Sequence, residues 1–281
     1  MLSSRLVKEQ PSTARSGLCS SRHCCVVPAH EVWVCSAKSD LGSARESTDR
    51  VLQAGRLPAS KTMGQSFNSA GIALFAQIAW GNAPLALPHL SVPSIDSLDW
   101  GALARAGFRG CVFDKDNTLT APYASAVAPA LAPALERCRV AFEGRLVLFS
   151  NSAGLAQFDP EGSEAEALEA ALGIPVLRHA EKKPAGSAVE AEAHFGCPAE
   201  RLVMVGDRYL TDVVFGNRNG LLSVRVAPIQ LAGEPTAVSL ARRVEDYCVA
   251  RWWRQGHKAK PHPLAPSEEA LATFVCEPAV R

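Results

Sequence analysis

Three apolar runs in this chain stop abruptly at acids or small polar residues. The first, Gly110-Cys-Val-Phe113, is followed at once by Asp114-Lys115-Asp116-Asn117-Thr118. A short apolar run bounded by turn residues reads as a strand buried on both faces. Two carboxylates at its carboxyl end are poor packing material, because charges enter protein interiors only when paired or metal-bound. By itself the pair also reads as a solvated turn. Further on, Leu146-Val-Leu-Phe149 runs into Ser150-Asn151-Ser152, and Leu202-Val-Met-Val205 into Gly206-Asp207, with Asp212 five residues later. Ahead of a helical pattern stand Lys182-Lys183-Pro184, and proline suits a first helical turn, so Lys183 is expected at the start of that helix.

The wider pattern alternates. Strands are expected near 110–114, 145–150, 175–178, 202–206 and 221–226, with helices near 127–140, 164–172, 185–196 and 209–216. Such alternation implies an α/β fold, a mainly parallel sheet with helices on both faces. Open sheets of this kind bind ligands at the carboxyl ends of their strands, where the polar residues above converge. The span from Asp114 to Ser150 holds little beyond one helix, and that from Ser150 to Lys183 one helix and one strand. Neither has room for a large cap domain. An open site can reach a group held at a membrane or on a macromolecule, whereas small soluble substrates usually benefit from closure.

Asp114/Asp116, Ser150, Lys183 and Asp207/Asp212, in this order, resemble the four motifs of the haloacid dehalogenase-like phosphatase superfamily, over roughly residues 108 to 230. In finer detail, Phe113-Asp-Lys-Asp-Asn-Thr-Leu-Thr-Ala-Pro122, Phe149-Ser-Asn-Ser-Ala-Gly154, Arg178-His179, Lys182-Lys-Pro-Ala-Gly186 and Gly216-Asn-Arg-Asn-Gly220 are similar to its phosphatidylglycerophosphate phosphatase branch of mitochondria and plastids, most nearly the plant type. The resemblance implies a Rossmann-like core, a phospholipid substrate, Mg²⁺ and phosphatidylglycerol biosynthesis.

The residue types suit that chemistry on their own. Ester hydrolysis at phosphorus needs a nucleophile, an acid for the leaving alkoxide and neutralisation of the phosphoryl oxygens. Asp114 can attack phosphorus and become an aspartyl-phosphate; Asp116 can serve as acid and then base. Two carboxylates would repel a phosphate unless a hard cation intervened, and Mg²⁺ prefers oxygen ligands. Asp114, the backbone carbonyl of Asp116 and Asp207 are the expected ligands, with Asp212 orienting them from behind. Ser150, the Asn151 amide and Lys183 are expected to hold phosphoryl oxygens in a strand-end concavity rich in backbone N–H groups, and Thr118 to pin the motif loop by a hydrogen bond. Arg178, His179, Lys182 and Arg208 are weaker candidates for a second anionic group, each equally an exposed charge. Asn217 and Asn219 read as turn chemistry. The alternatives are a phosphatase for a soluble sugar phosphate or a phosphoprotein, and a membrane-docked binding module with a silent phosphate site; a pure binder would not need the second acid of the pair.

Composition constrains partners. The 281 residues carry a net charge of +1, which gives no basic excess for nucleic acid. Nine cysteines show no CxxC pair or ligand spacing, as expected of reduced thiols. Residues 1–60 are rich in Ser, Ala and Arg, with few acids at the start, and read as an organelle transit peptide. A plastid is favoured, with the matrix side of the mitochondrial inner membrane as the alternative. Residues 61–98 form an apolar extension, uncharged from Thr62 to Ile95. Its apolar run 71–80 is too short to span a bilayer; it either lies in the membrane interface or packs on the core. The phosphatase core is expected at 99–235. Residues 236–260 read as a basic helix whose Arg242, Arg243, Arg251 and Arg254 accompany Trp252 and Trp253. That helix suits peripheral contact with an anionic membrane, or covers the core with its tryptophans. Proline-rich 261–281 is expected to be a disordered tail.

Overall fold

The computed structural model describes Ile78 and residues 81–276. The expected transit peptide, and most of the apolar run 71–80, lie outside the described residues.

Five parallel strands form one sheet: β1 (Leu90–Val92), β2 (Gly110–Phe113), β3 (Leu146–Leu148), β4 (Leu202–Gly206) and β5 (Leu222–Val226), in the order β1-β5-β4-β2-β3. Nearly every strand residue of β2, β3, β4 and β5 is buried. Helices on both faces demand this, and it is why β2, β3 and β4 read as continuous apolar runs rather than alternating ones. The helices are α1 (Trp100–Arg105), α2 (Ala132–Ala141), α3 (Ser163–Leu172), α4 (Val189–Phe195), α5 (Val214–Asn219), α6 (Thr236–Arg254) and α7 (Glu268–Ala272). The largest core cluster joins Trp100, Phe108, Phe113, Phe142 and Leu222 with α2 and α3; a second groups Phe149, Phe195, Met204 and Phe215. From β2 the chain passes to β3 on one side and later to β4 on the other, so β2 ends at the switch point of the sheet, where ligands bind in such folds.

Several expectations need correction. Residues 175–178 are not a strand; only the parallel bridge Leu148↔Val176 forms. The fifth strand comes instead from the apolar extension, as Leu90–Val92 pairs with Val224–Val226. Ile78, Ala83, Ala86 and Leu87 cluster with Tyr209, Val213, Val214, Val249 and Trp252, so the described part of the extension packs on the core. Asn217 fastens it: its Nδ2 donates to the carbonyls of Leu85 and Leu87 at 2.9 and 2.8 Å. Asn217 and Asn219 therefore lie within α5, and only Gly220 takes the left-handed backbone, with φ +81°. The helix expected from 185 begins at Val189, since Gly186 at φ +82° breaks helical continuity first. Lys183 consequently sits in a loop.

The tail is also ordered through Cys276. Phe274 is buried and meets Phe108 edge-on at 5.9 Å, while Asp99 N–H donates to Phe274 O at 2.8 Å and Cys276 N–H to Ser97 O at 2.9 Å. One aromatic anchor and these backbone bonds outweigh the local cost of the prolines. The core thus extends well beyond 99–235 on both sides. No described helix is long and apolar enough to cross a membrane.

Candidate active site

Asp114 continues β2 into the pocket: its N–H donates to Val205 O at 2.9 Å, which fixes the backbone in the sheet. Asp207 directly follows β4, the neighbouring strand. Asp212 reaches the same place through a wide turn, Tyr209–Val213, where Val213 N–H bonds back five residues to Arg208 O at 3.2 Å. Turns of this π type bring residues five apart onto one side and recur at functional sites. Gly206 makes room, because a Cβ there would lie 2.3 Å from the Asp212 carboxyl carbon.

Carboxylate oxygens of Asp114, Asp207 and Asp212 lie within 4.8 Å of one another. Asp212, expected to stand behind the ligands, is therefore one of the cluster, whereas the Asp116 side chain lies outside it. Lys183, fully buried, reaches in from its loop and donates to Asp114 Oδ1 and Asp212 Oδ1, each at 2.7 Å. Burial alone would lower the Lys183 pKa, but these two carboxylates outweigh it and raise it. Burial pushes the Asp114 carboxyl up to about 8; Lys183 opposes this, while Asp212 and Asp207 add to it. Burial likewise raises Asp207 to about 6, against the pull of Arg242 and with the push of Asp212. Lys183, 2.7 Å away, favours the ionised form of Asp114, whereas the surrounding acids disfavour it, so the lysine and the acids pull in opposite directions. A hard divalent cation would relieve that excess of negative charge, and an all-oxygen donor set fits one.

Asp116 has other surroundings. Its side chain is 41 % exposed, accepts Lys115 Nζ at 2.6 Å, and receives the Tyr123 N–H at 2.9 Å through the same Oδ1. It stays within the motif loop yet open to solvent.

Ser150 is buried at the end of β3, its Oγ 3.1 Å from Ser152 Oγ. The Asn151 side chain joins two backbone segments. Its Oδ1 accepts the Lys183 N–H at 2.9 Å and its Nδ2 faces Lys183 O at 3.4 Å, so it holds the lysine loop against the serine loop. His179 reinforces the join, with Nε2 2.8 Å from Ser150 O and Nδ1 2.8 Å from Glu181 O. Thr118 is buried but its Oγ1 makes no hydrogen bond, which corrects its expected role. Asn117 and Thr120 brace the motif loop in its place, Thr120 Oγ1 donating to Lys115 O at 3.3 Å.

The other weaker candidates also have partners within the protein. Arg178 pairs with Glu169, Lys182 lies 4.1 Å over the Phe158 ring, and Arg208 pairs with Glu245. Arg242 was missed as a site residue. Rather than facing a membrane, it turns inward, donating from Nη2 to Asp207 Oδ2 and to Glu234 Oε1, each at 2.7 Å. Glu234 in turn accepts Asn117 Nδ2 at 2.8 Å. The helical spacing of Arg242, Glu245, Val249 and Trp252, all buried on α6, was the available signal. Trp252 covers the core, and Trp253 meets Tyr209 edge-on at 6.2 Å, so the tryptophans serve packing.

A family model described as mitochondrial PGP phosphatase matches residues 71–228. The chain belongs to that family. It is 56 % identical to the chloroplastic phosphatidylglycerophosphate phosphatase 1 of Chlamydomonas reinhardtii, across 85 % of this chain and 90 % of that one. It is 50 % identical to the chloroplastic/mitochondrial phosphatidylglycerophosphate phosphatase 1 of Arabidopsis thaliana, across 72 % of this chain and 58 % of the relative. Identity to the mitochondrial phosphatidylglycerophosphatase of Saccharomyces cerevisiae is 28 %, over 69 % and 91 %. All four polar motifs fall inside the family match, while Glu234, Arg242 and Glu245 lie beyond its end.

Proposed function

We propose that this chain is a Mg²⁺-dependent phosphatase that converts phosphatidylglycerophosphate to phosphatidylglycerol and phosphate. We place it at a plastid membrane, with the mitochondrial inner membrane as the alternative, in phosphatidylglycerol biosynthesis. The carrying observation is the Asp114–Lys183–Asp212–Asp207 cluster at the end of β2, in a chain whose relatives bear that activity in their names. In this reading an Asp114 oxygen attacks phosphorus and the bond from phosphorus to the glycerol oxygen breaks. The departing alkoxide takes its proton from Asp116. A water then gives a proton to Asp116 and attacks the aspartyl-phosphate, releasing phosphate and restoring both carboxyls. Lys183 holds Asp114 in place and balances charge, and Ser150 steadies the phosphoryl oxygens. Asp114, the Asp116 carbonyl and Asp207 would hold Mg²⁺ with Asp212 beside them, and the ion would supply positive charge to the phosphoryl oxygens when bound.

The test is phosphate release from phosphatidylglycerophosphate in mixed micelles, with Mg²⁺ or EDTA, beside glycerol 3-phosphate and p-nitrophenyl phosphate. A Mg²⁺-dependent preference for the lipid is expected. Activity on the soluble esters alone would keep the chemistry and overturn the substrate.

A further inference from the structure

Exposed large apolar side chains are unevenly distributed. Six of them, Tyr123, Ile229, Leu231, Leu240, Val244 and Tyr247, fall on three segments that bond directly to the site. The Tyr123 N–H donates to Asp116 Oδ1 at 2.9 Å. The loop holding Ile229 and Leu231 is tied to the motif loop through Ile229 N–H to Asn117 O at 3.2 Å and Gln230 N–H to Asn117 Oδ1 at 2.9 Å. Helix α6, which carries the other three, reaches the site through Arg242 and Asp207. Leu231 is 56 % and Leu240 63 % exposed, although soluble surfaces seldom gather large apolar groups.

The two faces of α6 explain the pattern. Arg242, Glu245, Val249 and Trp252 point inward. Leu240, Val244, Tyr247 and Arg251 recur at i, i+4, i+7 and i+11 on the outer side, and Arg243 and Arg254 are exposed beside them. Three exposed arginines against the single exposed acid Asp246 leave this face positive. Apolar side chains fringed by arginine suit insertion at the headgroup level of an anionic bilayer.

We propose that this apolar rim, built from the 121–125 loop, the 229–231 loop and the outer face of α6, docks the open site on an anionic lipid bilayer. The inference rests on the phospholipid reading above and names the surface that would deliver that substrate.

The test is flotation of the full chain with vesicles of phosphatidylcholine, alone or with phosphatidylglycerol added, beside the variants L231E/L240E and V140E. Val140 is an exposed apolar residue of α2, away from the rim segments. Wild type and V140E are expected to float with the anionic vesicles, and L231E/L240E about tenfold less, with p-nitrophenyl phosphate hydrolysis unchanged. The proposal is overturned if wild type fails to float, if it floats equally on both compositions, or if L231E/L240E floats like wild type. Loss of a dimer by light scattering in L231E/L240E, with flotation retained, would make the rim a contact between copies instead. Flotation that depends on the rim, without phosphate release from the lipid, would sustain docking while overturning the substrate reading.

Discussion

Asp114 and Asp116 stand two residues apart in one loop, yet they occupy opposite environments. Asp114 shares a buried floor with Lys183, Asp207 and Asp212, and every one of these charges is placed by a strand end, a wide turn or a buried partner. Asp116 sits on the rim, 41 % exposed, beside a lysine of its own loop. On the proposed mechanism, the contrast lets one motif fill two roles. A nucleophile profits from rigid placement in a low-dielectric pocket, at the cost of a raised pKa. An acid/base must exchange protons with solvent and with a leaving group, so it cannot be buried as deeply.

Substitutions can break this division. Asp114→Asn is expected to lower phosphate release at least about a thousandfold with the thermal midpoint no lower, because it removes one of three crowded acids. Wild-type-like turnover would disprove its nucleophilic role. Asp116→Asn should cost about 10²–10⁴-fold in kcat without a change in melting, as its side chain is half in solvent; a rate near wild type would remove it as the acid/base. Lys183→Met attacks the floor itself. Leaving Asp114 and Asp212 without their cation should lower unfolding free energy by about 3–5 kcal/mol in urea titrations, and combining it with Asp114→Asn should recover part of that loss, since the two share one contact.

Gly206→Ala asks whether the floor needs its glycine. The new methyl would displace the Asp212 carboxyl, so calorimetric titration with Mg²⁺ should show affinity about tenfold weaker; unchanged affinity would separate Asp212 from the cation. The smallest effect is expected away from both regions, at Asp159, whose carboxylate accepts the N–H groups of Gly154, Glu164 and Ala165. Burial pushes its pKa up, but these bonds and Arg178 outweigh it and leave the group below its ordinary 3.8. A depressed carboxylate stabilises the fold above its unfolded pKa, and the stabilisation is lost as pH falls through the folded value. Asp159→Asn should therefore cost about 1–3 kcal/mol at pH 7 and flatten the acid limb of a stability curve below about pH 4.

Much of the architecture was legible in the chain. Three buried strands announced themselves as unbroken apolar runs, and the polar residues that end them marked the carboxyl edge of the sheet where the candidate site lies. Local signals failed where partners distant in sequence decide conformation. Leu90–Val92 is three residues between prolines and becomes a strand only because β5 offers an unpaired edge. Residues 261–276 look like a tail, yet Phe274 finds Phe108. Proline before a helical pattern misplaced the start of α4, because Gly186 adopts a left-handed turn first.

The site divides in the same way. Asp114, Asp116, Lys183 and the two later aspartates could be singled out from residue type and position, since a strand fixes the direction of whatever follows it. Whether Asp212 joins the acids, which backbone the Asn151 side chain holds, and whether Arg242 faces lipid or Asp207 depend on which surfaces the folded chain brings within about 3 Å, the reach of a hydrogen bond. Sequence determines the chemistry that each segment can offer; only tertiary packing decides which charges are buried together, because charges are buried when partners compensate them, and those partners come from elsewhere in the chain.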